Sequence, residues 1–102
     1  MRNVIFTSKF KKDFKTAQKT PKFKKYAFKF EDYVSRLCAG ENLPKEADNH
    51  KLSKSSPKAY KDCYEFKAAP DVCVIYRMNN DSIELVRIGQ HNDLELTENI
   101  LD

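Results

Sequence analysis

Glycine, proline and cysteine are scarce in this 102-residue chain, and tryptophan is absent: there are two glycines, four prolines and three cysteines. So few glycines and prolines exclude a collagen-like or low-complexity chain. The cysteines, Cys38, Cys63 and Cys73, are an odd number and lack the spacing of metal ligands, so we expect neither a disulfide framework nor a metal site. Buried free thiols in a reducing compartment explain them best.

Long apolar runs are missing as well. No segment approaches the roughly 20 apolar residues that a membrane-spanning helix needs. The first six residues carry a charge but no apolar stretch of the length found in signal peptides. We therefore expect a cytoplasmic protein that does not enter a membrane.

The chain is rich in charged and aromatic residues, which make up 33% and 12% of it. A chain of this length forms one domain around a single core, so we expect one domain over residues 1–102. The charge is uneven: residues 1–30 hold ten Lys or Arg against one acid, whereas residues 31–102 hold nine against fourteen. The basic segment would attract a polyanion such as RNA, although a solvated lysine-rich helix face explains it equally well.

The first third of the sequence predicts a strand followed by two helices. Residues 4–7 (Val-Ile-Phe-Thr) have the composition of a short strand. Ser8 is expected to cap a helix that runs to about Lys19, and Thr20-Pro21 starts a second helix whose apolar stripe ends at Gly40. With so short a link, the two helices should form an antiparallel hairpin with the aromatic stripe in the core.

The remaining elements predict an α+β fold. Residues 41–59 lack apolar periodicity and are long for a connection inside a compact domain, which is typical of a functional loop. Three strands follow, over residues 60–67, 72–78 and 83–88. The order of strand, helix, helix and three strands predicts a helical hairpin packed on an antiparallel sheet. The acidic tail, residues 91–102, could add one short helix or could fray.

Nucleotide-binding and metalloprotease motifs are missing: there is no GxGxxG, P-loop, paired CxxC or HExxH. The sequence therefore predicts no cofactor and no metal. Five ionisable side chains are instead expected to meet at one end of the sheet, because consecutive antiparallel strands return the chain to the same end. They are His50 on the long loop and Lys67, Asp71, Arg87 and His91 on or near the strands.

Such a group suits metal-free cleavage of RNA. A base removes the proton of a ribose 2′-OH, a cation stabilises the phosphorane, and an acid protonates the leaving oxygen. Histidine serves in either proton role, since its ordinary pKa of about 6.5 is close to working pH. A lone histidine is more often incidental, but both histidines of this chain fall in the predicted cleft, which leaves the two interpretations evenly weighted.

Three segments resemble the RelE superfamily of type II toxins, and most closely its YafQ branch. Residues 43–52 end in Asn-His-Lys-Leu, which is similar to the family's D-H-x-L. Residues 65–77 are similar to E-C-H-I-x-P-D-W-x-L-I-Y-K, and residues 87–94 to R-x-G-(S/T)-H-x-x-L-F. Each segment is weak alone, but three in order at the right spacing are fairly specific.

The resemblance implies a ribosome-dependent mRNA endonuclease that a cognate antitoxin holds inactive. It implies that His50 or Asp71 is the base, Arg87 the phosphate clamp and His91 the acid. Lys67 stands where the YafQ branch has a second histidine, and a lysine can stabilise a phosphorane. The resemblance also implies that a set of lysines binds RNA, namely Lys9, Lys11, Lys12, Lys15, Lys51, Lys54, Lys58 and Lys61.

The sequence departs from the branch at two further positions, with Val72 in place of a tryptophan and Glu95 in place of the final aromatic residue. Two alternatives therefore stay open. One is a relative of the ParE toxins of the same superfamily, which bind DNA gyrase and do not cut RNA; the retained histidines disfavour it. The other is an RNA-binding module whose lysines only contact phosphate.

Overall fold

The computed structural model describes residues 1–54 and 56–94. Its helices and strands, in chain order, are β1 (Asn3–Phe6), α1 (Ser8–Ala17), α2 (Pro21–Cys38), β2 (His50–Lys51), β3 (Tyr64–Ala69), β4 (Val72–Met78) and β5 (Ser82–Gly89). Single turns of 3₁₀ helix at Lys45–Ala47 and Lys58–Tyr60 flank β2. The predicted order of strand, helix, helix and three strands is confirmed, and β2 is an addition from within the long loop.

The five strands form one sheet in the order β1-β5-β4-β3-β2. The pairs β2–β3, β3–β4 and β4–β5 are antiparallel, whereas β1 pairs in parallel with β5. The α+β class is therefore as predicted, but the sheet is mixed and not purely antiparallel. Two helices separate β1 from the remaining strands, so the chain can return to β1 in the parallel direction.

Both helices begin at a threonine whose hydroxyl caps the first turn. Thr7 Oγ1 accepts from the Phe10 N–H at 3.1 Å, and Thr20 Oγ1 accepts from the Phe23 N–H at 3.3 Å. The Thr20-Pro21 start is confirmed, whereas the cap of α1 is Thr7 and not Ser8. After α2, Gly40 has a φ of +76°, the left-handed conformation that glycine adopts without a steric penalty.

Aromatic rings join α1, α2 and the sheet in the main core. The contacts of Phe14 with Phe23 (5.5 Å between centroids) and of Phe10 with Phe30 (6.1 Å) run in opposite chain directions, as the predicted antiparallel hairpin requires. Tyr33 of α2 packs edge-on against Phe66 of β3 at 5.6 Å. The aromatic stripe is therefore core, as the helical spacing predicts.

The opposite face of the sheet carries a smaller cluster, which we call the second face. Its buried apolar members are Tyr60, Cys63, Cys73, Ile75 and Leu94. Strand register lines up side chains on this face in rows across β2 to β5. One row contains His50, Glu65, Ile75 and Arg87, and the next contains Lys67, Cys73 and Gly89. Because partners across a sheet share a face, the ionisable side chains gather on the second face.

The three cysteines are buried and free, as expected. No helix among residues 1–54 and 56–94 is both long enough and apolar enough to cross a bilayer. The predicted C-terminal helix and most of the acidic tail, including Glu95, lie outside the described residues.

Candidate active site

The alternation of β3 places Glu65 and Lys67 on the second face while Phe66 and Ala68 enter the main core. Glu65 lies opposite His50 of β2, and Lys67 lies opposite Cys73 of β4. The period of two along one strand therefore brings a carboxylate and an ammonium group to the same region.

Glu65 is the centre of this region, because it contacts both histidines. Its carboxylate is only 3% exposed. Oε1 lies 3.2 Å from His50 Nε2, and Oε2 lies 2.9 Å from His91 Nε2. The two histidine side chains are 46% and 37% exposed, so a buried carboxylate holds two imidazoles that remain open to solvent. Buried carboxylates are rare unless paired in this way.

The hydrogen bonds of His50 define where its protons lie. Nδ1 is 2.7 Å from the backbone carbonyl oxygen of Asp48, and since a carbonyl only accepts, Nδ1 must carry a proton. A neutral His50 then has a lone pair on Nε2, which faces an oxygen of Glu65. A hydrogen bond between these two atoms requires one further proton, either on His50 or on Glu65.

Cys73 is the third side chain in contact with Glu65. Burial raises the pKa of this thiol to about 12, and the neighbouring charge of Glu65 and a hydrogen bond to it act in the same direction. The thiol is therefore protonated at neutral pH, and it donates to the carboxylate. Glu65 thus has hydrogen-bonding partners on three sides, which offsets the cost of burying a charge.

The segment before β2 fixes the position of His50. Asp48 has a φ of +49°, a left-handed conformation that aspartate tolerates better than most residues, and its carbonyl oxygen is thereby directed at the imidazole. Asn49 Oδ1 accepts from the hydroxyl of Tyr76, which is fully buried in the main core, at 2.6 Å. Asp48 therefore contacts the imidazole of His50 directly, and Asn49 ties the segment before β2 to the main core.

An open cavity of about 450 Å³ lies beside this cluster. Its lining residues are Lys67, Pro70, Asp71, Cys73, Gln90, His91 and Asn92. Asp71 is exposed and pairs with Lys22 at the start of α2. This hydrogen bond and the charge of Lys22 lower the pKa of the Asp71 carboxyl below its ordinary value. The cavity therefore has an ionised carboxylate, an ammonium and an imidazole in its wall.

Arg87 lies in the same cross-strand row as Glu65, but its guanidinium is engaged elsewhere. Nε is 2.5 Å from Asp13 Oδ2, and Nη2 is 3.1 Å from Asp13 Oδ1. Asp13 Oδ2 also accepts from the N–H of Ile88 at 3.2 Å. The hydrogen bond and charge of Asp13 raise the pKa of Arg87 further. We call this two-point ion pair the Asp13–Arg87 fork. It joins α1 to the part of β5 beyond Leu85, where β1 no longer pairs with β5.

The structure brings together four of the five predicted side chains. Lys67, Asp71 and His91 line the cavity, and His50 joins them through Glu65. Arg87 is absent from the cavity wall, and its assignment as phosphate clamp stays a prediction. Sequence reasoning missed Glu65 as a site residue. The signal was the alternation of β3, in which a single acid occurs on the face opposite two aromatic residues, Tyr64 and Phe66.

The predicted RNA-binding lysines occupy two surfaces. Lys9, Lys11, Lys12 and Lys15 are exposed on α1. Lys51, Lys54, Lys58 and Lys61 line a second cavity of about 720 Å³, which the loop after His50 forms. This second group is therefore continuous in sequence with the histidine of β2.

Comparison with known proteins assigns the chain to a family. The family model for YafQ, a bacterial toxin of type II toxin-antitoxin systems, matches residues 2–96. No curated protein sequence matches the chain.

Three solved structures are similar. A chain of the Escherichia coli DinJ–YafQ complex is 26% identical, with a TM-score of 0.76 over 92% of this chain and 98% of that one. YafQ from E. coli strain BL21(DE3) is 25% identical, with a TM-score of 0.75 over 92% and 98%. The YoeB dimer from Staphylococcus aureus is 17% identical over 88% and 97%, with a TM-score of 0.68, and shares the fold. The chain belongs to the YafQ family of bacterial toxins of type II toxin-antitoxin systems.

Proposed function

We propose that this toxin is a ribosome-dependent mRNA endonuclease, and that a cognate antitoxin blocks it in the cytoplasm. The observation that carries the proposal is the open cavity with Lys67, Asp71 and His91 in its wall, beside a buried carboxylate that holds both histidines. This arrangement supplies a base to deprotonate the ribose 2′-OH as it attacks the adjacent phosphate, a cation to stabilise the phosphorane, and an acid to protonate the 5′ oxygen that leaves.

His91 is the proposed acid. Its Nε2 contacts Glu65, so Nδ1 is the ring atom left to exchange a proton with the leaving oxygen. A buried carboxylate behind an imidazole orients the ring and stabilises its charged form, as in other carboxylate–histidine pairs. Glu65 therefore fixes the orientation of the His91 ring and leaves Nδ1 as the atom that can donate a proton.

Asp71 is the proposed base, and Lys67 the proposed cation. The ion pair with Lys22 keeps Asp71 ionised, and a carboxylate must be ionised to accept the proton of a hydroxyl. The same ion pair weakens it as a base, so catalysis gains when RNA draws Lys22 toward phosphate. Lys67 lies one residue along β3 from the buried Phe66 and presents its ammonium to the cavity, where a developing phosphorane would find a counter-charge.

His50 and Arg87 are proposed to position the site. Both ring nitrogens of His50 are engaged, with the Asp48 carbonyl and with Glu65, so His50 acts on the substrate through Glu65. The guanidinium of Arg87 is held by Asp13, and it acts by fixing the end of β5 from which His91 follows two residues after Gly89.

The lysines of α1 and of the loop after His50 are proposed to bind the RNA backbone and the ribosome. Their charges are exposed, and each phosphate that a lysine neutralises releases counterions, which favours binding at low salt. The proposal of a cognate antitoxin rests on the family, because a similar E. coli toxin, YafQ, was crystallised in a DinJ–YafQ complex.

Primer extension on cellular mRNA after induction of the toxin tests this proposal. We expect discrete cuts with the wild type and their loss with His91→Ala and Lys67→Ala, with melting temperatures near that of the wild type. Lys45→Ala, an exposed lysine outside the cavity, is the matched control and should leave the cuts unchanged. Growth arrest without cuts, or DNA damage in their place, would reject the nuclease and favour an RNA-binding or gyrase-binding toxin.

A further inference from the structure

We propose that the second cavity binds one unpaired nucleotide of an RNA strand, with the base on its apolar wall and the flanking phosphates on its lysines. The cavity has a volume of about 720 Å³ and is formed by the loop after β2 and the residues before β3. A concave site of this size is within the usual range for small molecules, about 300–1,000 Å³. The proposal rests on the proposed function, since it gives a place to a nucleotide of the RNA that the toxin would cut.

Charge complementarity favours a polyanion in the second cavity. Among the described residues that line it there are four lysines, Lys51, Lys54, Lys58 and Lys61, and one acid, Asp62. None of the four ammonium groups forms an ion pair with residues 1–54 or 56–94. Their charge is therefore available to phosphates, whose binding releases counterions from the RNA.

The apolar part of the lining favours a base together with its phosphates. Leu52 and Pro57 are half-buried and Tyr60 is buried, and all three line the cavity. A base is flat and apolar on both faces, so it can cover these side chains while its phosphates reach the lysines. Sites for single-stranded nucleic acid combine these two features, a basic surface for the backbone and side chains on which bases stack. A duplex does not suit the cavity, because its bases are already stacked and paired.

Hydrogen bonds to neighbouring segments hold the walls of the second cavity. The N–H of Leu52 donates to the carbonyl oxygen of Cys63 at 3.0 Å, which joins the loop after β2 to the residue before β3. On the other side, Nη2 of Arg77 donates to the carbonyl oxygens of Ala59 and Lys61 at 3.2 and 3.3 Å. Both walls are therefore fixed in the free protein, and a preformed site loses less conformational entropy when a ligand binds.

The second cavity lies on the same face of the sheet as the candidate active site. Tyr60, in its wall, belongs to the second face together with Cys73, which lines the first cavity, the one beside Glu65. The hydroxyl of Tyr60 is 3.4 Å from Nη1 of Arg87, which is in the cross-strand row of Glu65. The two cavities therefore flank the same cluster of side chains.

β2 connects the two cavities along the chain. His50 contacts the carboxylate of the candidate active site, and the next residue, Lys51, lines the second cavity. A single strand with its scissile phosphate in the first cavity can therefore continue over the second face into the second cavity. The nucleotide held there is near the cut but does not react, so it affects the affinity for RNA and the choice of cut site.

NMR titration of the ¹⁵N-labelled full chain with adenosine 3′,5′-bisphosphate tests the site without any cleavage. This probe has one base and two phosphates, and it has no bond to a second nucleotide that could be cut. The amide signals of Leu52 and Tyr60 should shift and saturate. An abasic analogue with the same two phosphates should bind there about 5- to 150-fold more weakly, the range expected for loss of a stacked base.

Lys54→Ala and Lys58→Ala test the lysines. Each should weaken binding of the bisphosphate at the second cavity. With a 2′-O-methyl RNA hexamer, which cannot be cut, each should also lower the slope of log affinity against log salt by about 1. Lys58→Arg should restore binding. Lys45→Ala is the matched control, since Lys45 is exposed and lines neither cavity, and it should leave affinity and slope unchanged.

Three results would overturn the nucleotide site, whether or not the chain cuts RNA. They are shifts confined to the first cavity, equal affinity for the abasic analogue, and equal affinity for hexaglutamate, which would indicate a site for acidic peptides. His91→Ala should lose cleavage and still bind the bisphosphate in the second cavity like the wild type. A wild type that binds the nucleotide there but cuts no RNA would reject the proposed function and retain this site.

Discussion

Glu65 and His50 are directly opposite each other on β3 and β2, and Oε1 of the carboxylate lies 3.2 Å from Nε2 of the imidazole. β2 is only two residues long, yet it places the histidine of a long loop against a carboxylate in the interior of the sheet. The same carboxylate holds His91 from the other end of the fold. A single buried side chain therefore sets the geometry of both histidines.

Glu65→Gln should abolish most cleavage without unfolding the protein. The amide can accept from His91 Nε2 and donate to the lone pair of a neutral His50, so the hydrogen bonds persist while the charge is lost. We expect a rate lower by about 10²–10⁴, the usual contribution of acid–base catalysis, and a circular dichroism melting curve close to that of the wild type. Glu84→Gln, which breaks a surface ion pair with Arg77, is the control. Full activity in Glu65→Gln would contradict the role of the carboxylate.

Asn49→Ala should destabilise the fold more than Tyr76→Phe, although Asn49 is exposed and Tyr76 is buried. Removing Asn49 leaves the buried Tyr76 hydroxyl without its partner, at a cost of about 1–3 kcal/mol, whereas Tyr76→Phe removes both the bond and the polar group and costs about 1 kcal/mol or less. Urea unfolding of the two variants and of the double variant measures the order. The reverse order would show that the hydroxyl finds another acceptor.

Asp13→Ala should lower the free energy of unfolding by about 1–3 kcal/mol, because hydrogen bonds to charged groups fall in this range. The variant removes the Asp13 acceptor from the N–H of Ile88 and from Nε and Nη2 of Arg87, which keeps only the long contact of Nη1 with the Tyr60 hydroxyl at 3.4 Å. Asp32→Ala, which breaks the exposed pair with Arg36 on α2, should cost no more than about 0.5 kcal/mol. Equal losses in urea unfolding would show that the Asp13–Arg87 fork is as weak as a surface pair.

Lys22→Ala should raise the pKa of Asp71 toward its ordinary value. The pKa of this carboxyl is lowered in the folded chain, so its contribution to stability is present above the unfolded pKa of about 3.9 and is lost as the pH falls through the folded value. Titration of the Asp71 carboxyl carbon by NMR measures the shift. The acid limb of the cleavage rate should move to higher pH with it. Lys24→Ala is the control and should leave both titrations unchanged.

Local patterns in the sequence account for most of the fold. Helix starts at Thr20-Pro21, the aromatic stripe of α2 and the apolar run of β4 each depend on neighbours within a few residues, and each is observed. The parallel pairing of β1 with β5 depends on contacts between residues about eighty positions apart, which no local pattern contains. The cap of α1 is Thr7 and not Ser8, because the choice between adjacent hydroxyl residues depends on where β1 ends.

The candidate site could be predicted only where it depends on local patterns and strand direction, and not where it depends on contacts between distant residues. The position of His91 after β5 follows from strand direction, and its place in the cavity with Asp71 agrees with that reasoning. The contact of Glu65 with His50 requires the pairing of β2 with β3, and a strand of two residues leaves no periodic signal. The Asp13–Arg87 fork could not be predicted from the sequence either, since it joins a helix to a strand more than seventy residues later.

Asn3 of β1 pairs with Ser82 of β5, and this has a consequence for synthesis of the chain. Translation delivers β1 well before its partner strand β5, because two helices and three strands lie between them, and His91 follows β5. Contacts so distant in sequence slow folding, and the helical hairpin must wait with its aromatic stripe uncovered. The sheet and the cavity of the nascent chain therefore stay incomplete until β5 has left the ribosome.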